Sequence, residues 1–185
     1  MSAAPAIRRG TPEFLRVNIA FFLAAFSVFA SLYSVQPLLP MFAEYWVRDA
    51  GAASLALSAT TGTMAVALIP ASWLADRLGR RRLIVGGLAL TALLGMALPF
   101  AQSWWQLLAL RTLMGISLSG IPAVAMVYLS EEMDPEALGF SMGLYIGGTA
   151  IGGMAGRVIS GVLSDWLGWR LGVGILAGMI VLAAL

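Results

Sequence analysis

The sequence predicts an all-α, polytopic membrane protein whose six transmembrane helices form two inverted three-helix repeats. Three observations point there. Apolar residues make up 60% of the 185 residues and charged residues only 11%, with a mean hydropathy of +0.90, whereas a soluble domain carries about 25% charged residues. Long apolar runs alternate with short polar turns, as membrane-spanning helices require. A ten-residue hinge around Asp76 recurs around Asp165.

Composition also excludes chemistry. Histidine and cysteine are both absent. That removes disulfides, thiol nucleophiles, zinc sites and any Ser-His pair. An intramembrane serine protease built on Ser117 or Ser119 would lack its base. No enzymatic activity, cofactor or metal is expected. All eleven basic residues are arginines. Most sit at the ends of apolar runs, so they report membrane orientation and not nucleic-acid binding.

Residues 1–15 carry Pro5 and Pro12 and read as a mobile tail; residues 16–185 read as one six-helix bundle. The first span runs from about Arg16 to Phe42, with Tyr33, Gln36, Pro37 and Pro40 near its end. A proline there either ends or kinks the helix, or frees a carbonyl beside a cavity that a neighbour must satisfy. Tyr45 and Trp46 suit the membrane interface. The second span, about Ala53 to Leu74, is rich in small residues that allow close helix approach. The third runs from about Leu83 to Ala101, and a tight aromatic turn leads into the fourth, about Gln106 to Leu129. An acidic loop holds Glu131, Glu132, Asp134 and Glu136 before the fifth span, about Gly139 to Leu163. The sixth begins at Leu171. Its fifteen residues reach about 22 Å at 1.5 Å per residue, short of a hydrocarbon core about 30 Å thick. The last helix is therefore expected to be cut short.

Seven arginines (Arg8, Arg9, Arg16, Arg77, Arg80, Arg81, Arg82) fall on one side of the membrane and two (Arg48, Arg170) on the other. The side with the excess is expected to be cytoplasmic, and with it the N-terminus.

The hinge Ser72–Arg81 reads Ser-Trp-Leu-Ala-Asp-Arg-Leu-Gly-Arg-Arg, and Gly161–Arg170 reads Gly-Val-Leu-Ser-Asp-Trp-Leu-Gly-Trp-Arg. Leu74, Asp76, Leu78, Gly79 and Arg81 match Leu163, Asp165, Leu167, Gly168 and Arg170 at a constant offset of 89 residues. Applied to Val17, that offset gives Gln106. Residues 16–101 and 106–185 are thus two copies of one three-helix unit. Three being odd, the second copy enters the membrane from the opposite side, a signature of secondary transporters.

Within this frame several residues stand out. Asp76, Arg77, Gly79, Arg80 and Arg81, with Glu131 and Glu132, form a candidate conformational latch. Arg111 lies about 7 Å into the fourth span by helical rise. An arginine at bilayer depth needs water or a partner, or must snorkel to the interface. Gly115 and Ser119 share its face. Arg157 lies near the outer end of the fifth span, where snorkelling is at least as available to it. Tyr33, Gln36, Ser119 and Tyr145 complete a set of cavity or coupling candidates with the two arginines. The fifth span also carries Gly143 and Gly147 on one face and Gly148, Gly152 and, beside them, Gly153 on another. These suggest close packing on both sides. No carboxylate is expected inside the membrane.

The stretch Ala75–Arg81 resembles the signature loop between the second and third helices of the major facilitator superfamily, Gly-x-Leu-Ala-Asp-Arg-x-Gly-Arg-Arg, with Ser72 in place of the leading glycine. Arg111–Gly115 is similar to that family's Arg-x-x-x-Gly pattern. Gly148–Gly153 is similar to the Gly-Pro-x-x-Gly-Gly pattern of its drug–proton antiporter branch, with Thr149 in place of proline. The resemblance implies the N-terminal six-helix half of a twelve-helix transporter. It implies that Asp76 caps a helix of the partner half and helps hold the outward-open state. It further implies a proton-coupled exporter of a small organic solute or drug, working by alternating access in the bacterial inner membrane. The implied partners are lipid, protons, a small-molecule substrate and the C-terminal half. Uptake of a sugar or metabolite stays open, as does a non-transport membrane module.

Overall fold

The computed structural model describes residues 6–184, with side chains described through residue 179. Eight α-helices make up the bundle: α1 (Pro12–Tyr33), α2 (Leu39–Tyr45), α3 (Ala50–Leu78), α4 (Arg80–Ala97), α5 (Trp104–Leu118), α6 (Gly120–Glu132), α7 (Pro135–Leu167) and α8 (Trp169–Ala184). Among the described residues, five segments are long and apolar enough to cross a membrane: Pro12–Tyr45, Ala50–Leu78, Arg80–Phe100, Trp104–Glu132 and Pro135–Leu167. Within α8, Trp169–Met179 is a shorter apolar stretch. Leu185, where the sixth span is expected to stop short, lies outside the described residues.

Residues 6–15 are not a free tail. Thr11 accepts a hydrogen bond from the Phe14 N–H, and Pro12 opens α1. A side-chain cap and a proline in the first turn start a helix efficiently. Ahead of it, Ile7 N–H donates to the Glu132 carbonyl at 2.8 Å, and Asp134 N–H donates back to the Ile7 carbonyl at 3.0 Å. The Ile7 side chain is buried. The chain entering α1 is thus strapped to the turn between α6 and α7.

The first span is not one helix. It breaks after Tyr33, passes through a 3₁₀ turn over Gln36–Leu38 and resumes as α2. Pro37 has no N–H to give the Tyr33 carbonyl. The fourth span likewise breaks at Ser119, between α5 and α6. Pro122 cannot donate to the Leu118 carbonyl, and this break is not among the expected ones.

The most extensive contact is between α1 and α7, which run parallel. It keeps one register along its length. Phe14 meets Phe140 with ring centroids 6.0 Å apart. Gly148, Gly152 and Gly156 lie against the carbonyls of Phe22, Phe26 and Ala30. Ser160 then donates to the Ser34 carbonyl at 2.6 Å across a separation of 126 residues, and every pair in the series shares that separation. A Cβ at Gly148 would lie 2.7 Å from the Phe22 oxygen, so the contact requires glycine there. The second glycine face does not behave as expected: Gly139, Gly143 and Gly147 have nothing within reach of an added Cβ. Among the described residues nothing packs against them.

The inverted repeat is visible in these contacts. Phe26 on α1 meets Gly152 on α7, and their equivalents 89 residues away in sequence, Gly115 and Thr63, meet on α5 and α3. The small residue has changed sides, but the crossing is conserved. The hinges agree as well. Gly79 and Gly168 adopt φ of 88° and 80°, a region that favours glycine. Gly79 N–H donates to Ala75 at 3.0 Å and Gly168 N–H to Ser164 at 2.9 Å.

The two hinges lie at opposite ends of the bundle. The Gly79 hinge sits beside the α6–α7 turn, where α1 begins. The Gly168 hinge sits beside Tyr45, Pro99 and Ala101, where Arg170 donates to both backbone carbonyls and to the Tyr45 hydroxyl. There Phe42, Trp46 and Trp104 pack with Trp169 and Val173 in one apolar cluster.

Candidate functional site

At the first hinge, Gly79 ends α3 and lets α4 start at once with three arginines. Asp76 is exposed and has no ion pair or hydrogen bond among the described residues. Arg77 lies over the Trp73 ring, 3.7 Å from its centroid; Trp73 is absent from the sequence-based set. Arg80 pairs with Glu131 at 2.5 Å. Glu132 takes part through its backbone carbonyl, which holds Ile7, and not as a second acidic partner. Arg81 faces a cleft of about 1000 Å³ between α1 and α4, shared with Arg16, Arg80 and Tyr128.

The two arginines of the spans have different surroundings. Arg111 is fully enclosed, at 0% exposure. Its Nε donates to the Ala56 carbonyl at 2.9 Å, Nη1 to Ser31 at 3.2 Å and Nη2 to Leu32 at 2.8 Å. Thr60 donates back to the Arg111 carbonyl at 2.9 Å. Ser31 and Leu32 belong to the last turn of α1, whose carbonyls lack helical partners. The end of a helix also carries partial negative charge. Arg111 therefore binds a helix C-terminus, without any carboxylate, and does not line a cavity as expected.

Tyr145 is corrected in the same way, and Ser119 only in part. Ser119 is 2% exposed and bonds the Ile116 carbonyl within its own turn. Tyr145 is 5% exposed and packs in the cluster with Phe21, Ala25 and Leu129. Tyr145 lines none of the described clefts, whereas Ser119 borders one of about 360 Å³ between α3, α4 and the α5–α6 break.

Three of the cavity candidates do come together. Arg157 Nε donates to Gln36 Oε1 at 2.5 Å and Nη1 to the Gly153 carbonyl at 3.1 Å. Its guanidinium carbon sits 4.0 Å from the Tyr33 ring centroid. Gly153 belongs to this site, since an added Cβ there would crowd the Tyr33 ring. Arg157 is held over the end of α1.

The sequence-based set misses Ser160 and Thr60, which also serve the α1 break and the α3–α5 contact. Ser160 had a signal: it continues the four-residue series Gly148, Gly152, Gly156. A small residue at that step reads as spacing until the break in α1 shows which carbonyl it must satisfy.

A family model described as "Major Facilitator Superfamily" matches residues 21–185. The chain belongs to the Major Facilitator Superfamily. It is 42% identical over 179 residues to the Inner membrane transport protein YnfM of Escherichia coli (strain K12), covering 97% of this chain and 43% of that protein. It is 43% identical over 178 residues to the uncharacterized MFS-type transporter YybF of Bacillus subtilis (strain 168), covering 96% and 44%. In fold it matches an inward-facing, occupied bacterial homolog of the human lysosomal transporter Spinster, with a TM-score of 0.79 at 22% identity, over 95% of this chain and 43% of that one. The chain thus spans under half the length of the relatives it matches. It is an all-α, polytopic membrane chain of this superfamily.

Proposed function

We propose that this chain is the N-terminal half of a secondary carrier that exports a small organic solute across the bacterial inner membrane by alternating access, driven by protons. The observation that carries the reading is the Arg80–Glu131 pair beside the unpaired Asp76. Arg80 begins α4, Glu131 ends α6, and the pair sits on the face where two hinge helices and the α1 strap converge. A cluster of this kind, fixed by one glycine turn, suits a clasp that another half of the protein engages and releases. The arginine excess at this end supports a cytoplasmic N-terminus, and the name of the E. coli relative supports the inner membrane.

Asp76 is the residue left to engage a partner. A carboxylate at a helix N-terminus gains roughly 0.3–1 kcal/mol, more when partly buried. The Asp76→Asn variant of the full-length protein should insert normally and lose most of its transport, measured as solute accumulation in cells with and without a proton gradient. Unchanged flux would reduce the hinge to an orientation signal. Accumulation that rises with expression would favour uptake of a metabolite.

A further inference from the structure

We propose that the solute carries a carboxylate and that Arg157, backed by Tyr33 and Gln36, binds it. This rests on the carrier reading above. Arg157 and Arg111 have the same side chain at comparable depth, and the structure separates their tasks. All three nitrogens of Arg111 are bound to backbone carbonyls. Arg157 spends Nε on Gln36 and one Nη1 proton on Gly153, while Nη2 has no partner among the described residues. Both Nη2 protons and one Nη1 proton are thus left without a partner among the described residues, and Nη1 and Nη2 together form the end edge of the guanidinium. That edge matches the two oxygens of a carboxylate.

The residue stands on an open flank of α7. Ile159 packs toward α8 with Ala30 and Leu176. Two residues apart on a helix means about 200° of rotation, so Arg157 emerges on the opposite flank of α7. The same flank carries Gly139 and Gly143, against which nothing packs. An arginine on a face open to hydrocarbon is costly unless water or a partner is present. None of the described ion pairs involves Arg157; they join Arg8 to Asp134 and Arg80 to Glu131. A guanidinium held rigidly by a ring, an amide and a carbonyl, with its outer edge unspent and no acid nearby, is preorganised for an anion that arrives from outside this helical group. The Tyr33 ring beside it gives the solute's carbon skeleton an apolar surface to lie on.

The test is thermal unfolding of the full-length protein in detergent with lactate, succinate or terephthalate, against lactamide, succinamide and terephthalamide. We expect at least one acid to raise the melting temperature by about 2 °C or more at saturation. Its amide should have no effect, Arg157→Gln should abolish the shift, and Arg157→Lys should keep part of it. Monodisperse elution of Arg157→Gln at the wild-type volume establishes that it is folded. Absence of a shift with every acid overturns the proposal. So does an acid shift that Arg157→Gln leaves unchanged. Loss of stability in Arg157→Gln without any acid effect would identify a carboxylate side chain as its partner, and overturns it too. Proteoliposomes that move a cationic dye while no acid binds would refute the carboxylate and leave the carrier reading standing; proteoliposomes that move no solute would refute both.

Discussion

Arg111 donates from Nη2 to the Leu32 carbonyl at 2.8 Å, and that bond fastens the second copy of the repeat onto the broken end of the first. α1 must stop near Tyr33 because Pro37 cannot continue its ladder. Its last carbonyls then need donors in a place water does not reach. One guanidinium supplies them to Ser31 and Leu32, and its own charge is compensated by the helix end.

Arg111→Lys should therefore fail despite keeping the charge. An ammonium cannot reach three carbonyls on two helices at once. Each interhelical hydrogen bond within a membrane is worth about 0.6–2 kcal/mol. We expect a loss of about 1–3 kcal/mol in unfolding by denaturing detergent, with Arg111→Ala losing more. A lysine variant as stable as wild type would show the carbonyls to be satisfied otherwise.

The α1–α7 contact makes a sharper comparison, because two glycine series lie on one helix. At Gly152 a side chain would enter the Phe26 backbone, while at Gly143 it would enter open space. Gly152→Val should aggregate or migrate as a broadened peak in fluorescence-detected size exclusion, and Gly143→Val should elute as wild type does. Equal behaviour of the two would mean that the register derived from Phe14 to Ser160 is wrong.

The contrast between these series also shows what the sequence could and could not reveal. Spacing of four marks Gly143 and Gly147 as strongly as Gly148 and Gly152, since periodicity reports a face and not what lies across it. The hinge is different. Gly79 and Gly168 could be read directly, because an Asp-x-x-Gly turn repeated at a fixed offset specifies backbone shape through local chemistry. Arg111 was visible as anomalous. Its partner was not, since backbone carbonyls have no letter in the sequence. Pro122 is legible as a ladder breaker, but it stands within an otherwise apolar run that reads as one span. The Ile7 strap rests on main-chain pairing that composition does not signal, so polar residues and prolines there read as a tail.

Arg80 and Glu131 allow a charge-exchange test of the clasp. Exposed pairs add little stability, because solvent screens them. Arg80→Glu alone should leave the melting temperature almost unmoved and impair transport in the full-length protein. Glu131→Arg should do the same. Combining the two restores the pair in reverse and should recover a substantial part of the lost flux. Single variants that transport normally would leave the pair with no part in the cycle.

The two hinge glycines provide the last test, one that depends on the repeat itself. Both sit at positive φ, 88° at Gly79 and 80° at Gly168, and both have empty space where a Cβ would go. Alanine at either position is therefore penalised by backbone strain alone, roughly 1–3 kcal/mol, because positive φ with ψ of 136° and 154° is left almost entirely to glycine. Since the local geometry is shared, Gly79→Ala and Gly168→Ala should lower stability by similar amounts. Their effects should add in the double variant, because the hinges are at opposite ends of the bundle. Function should separate them. Gly79 aims Arg80 at Glu131, so its loss should depress transport beyond what instability explains. Gly168 aims Arg170 at the carbonyls of Pro99 and Ala101, so its loss should act through stability. Unequal destabilisation of the two would contradict the equivalence of the hinges, and equal transport defects would contradict the separate role given to the first.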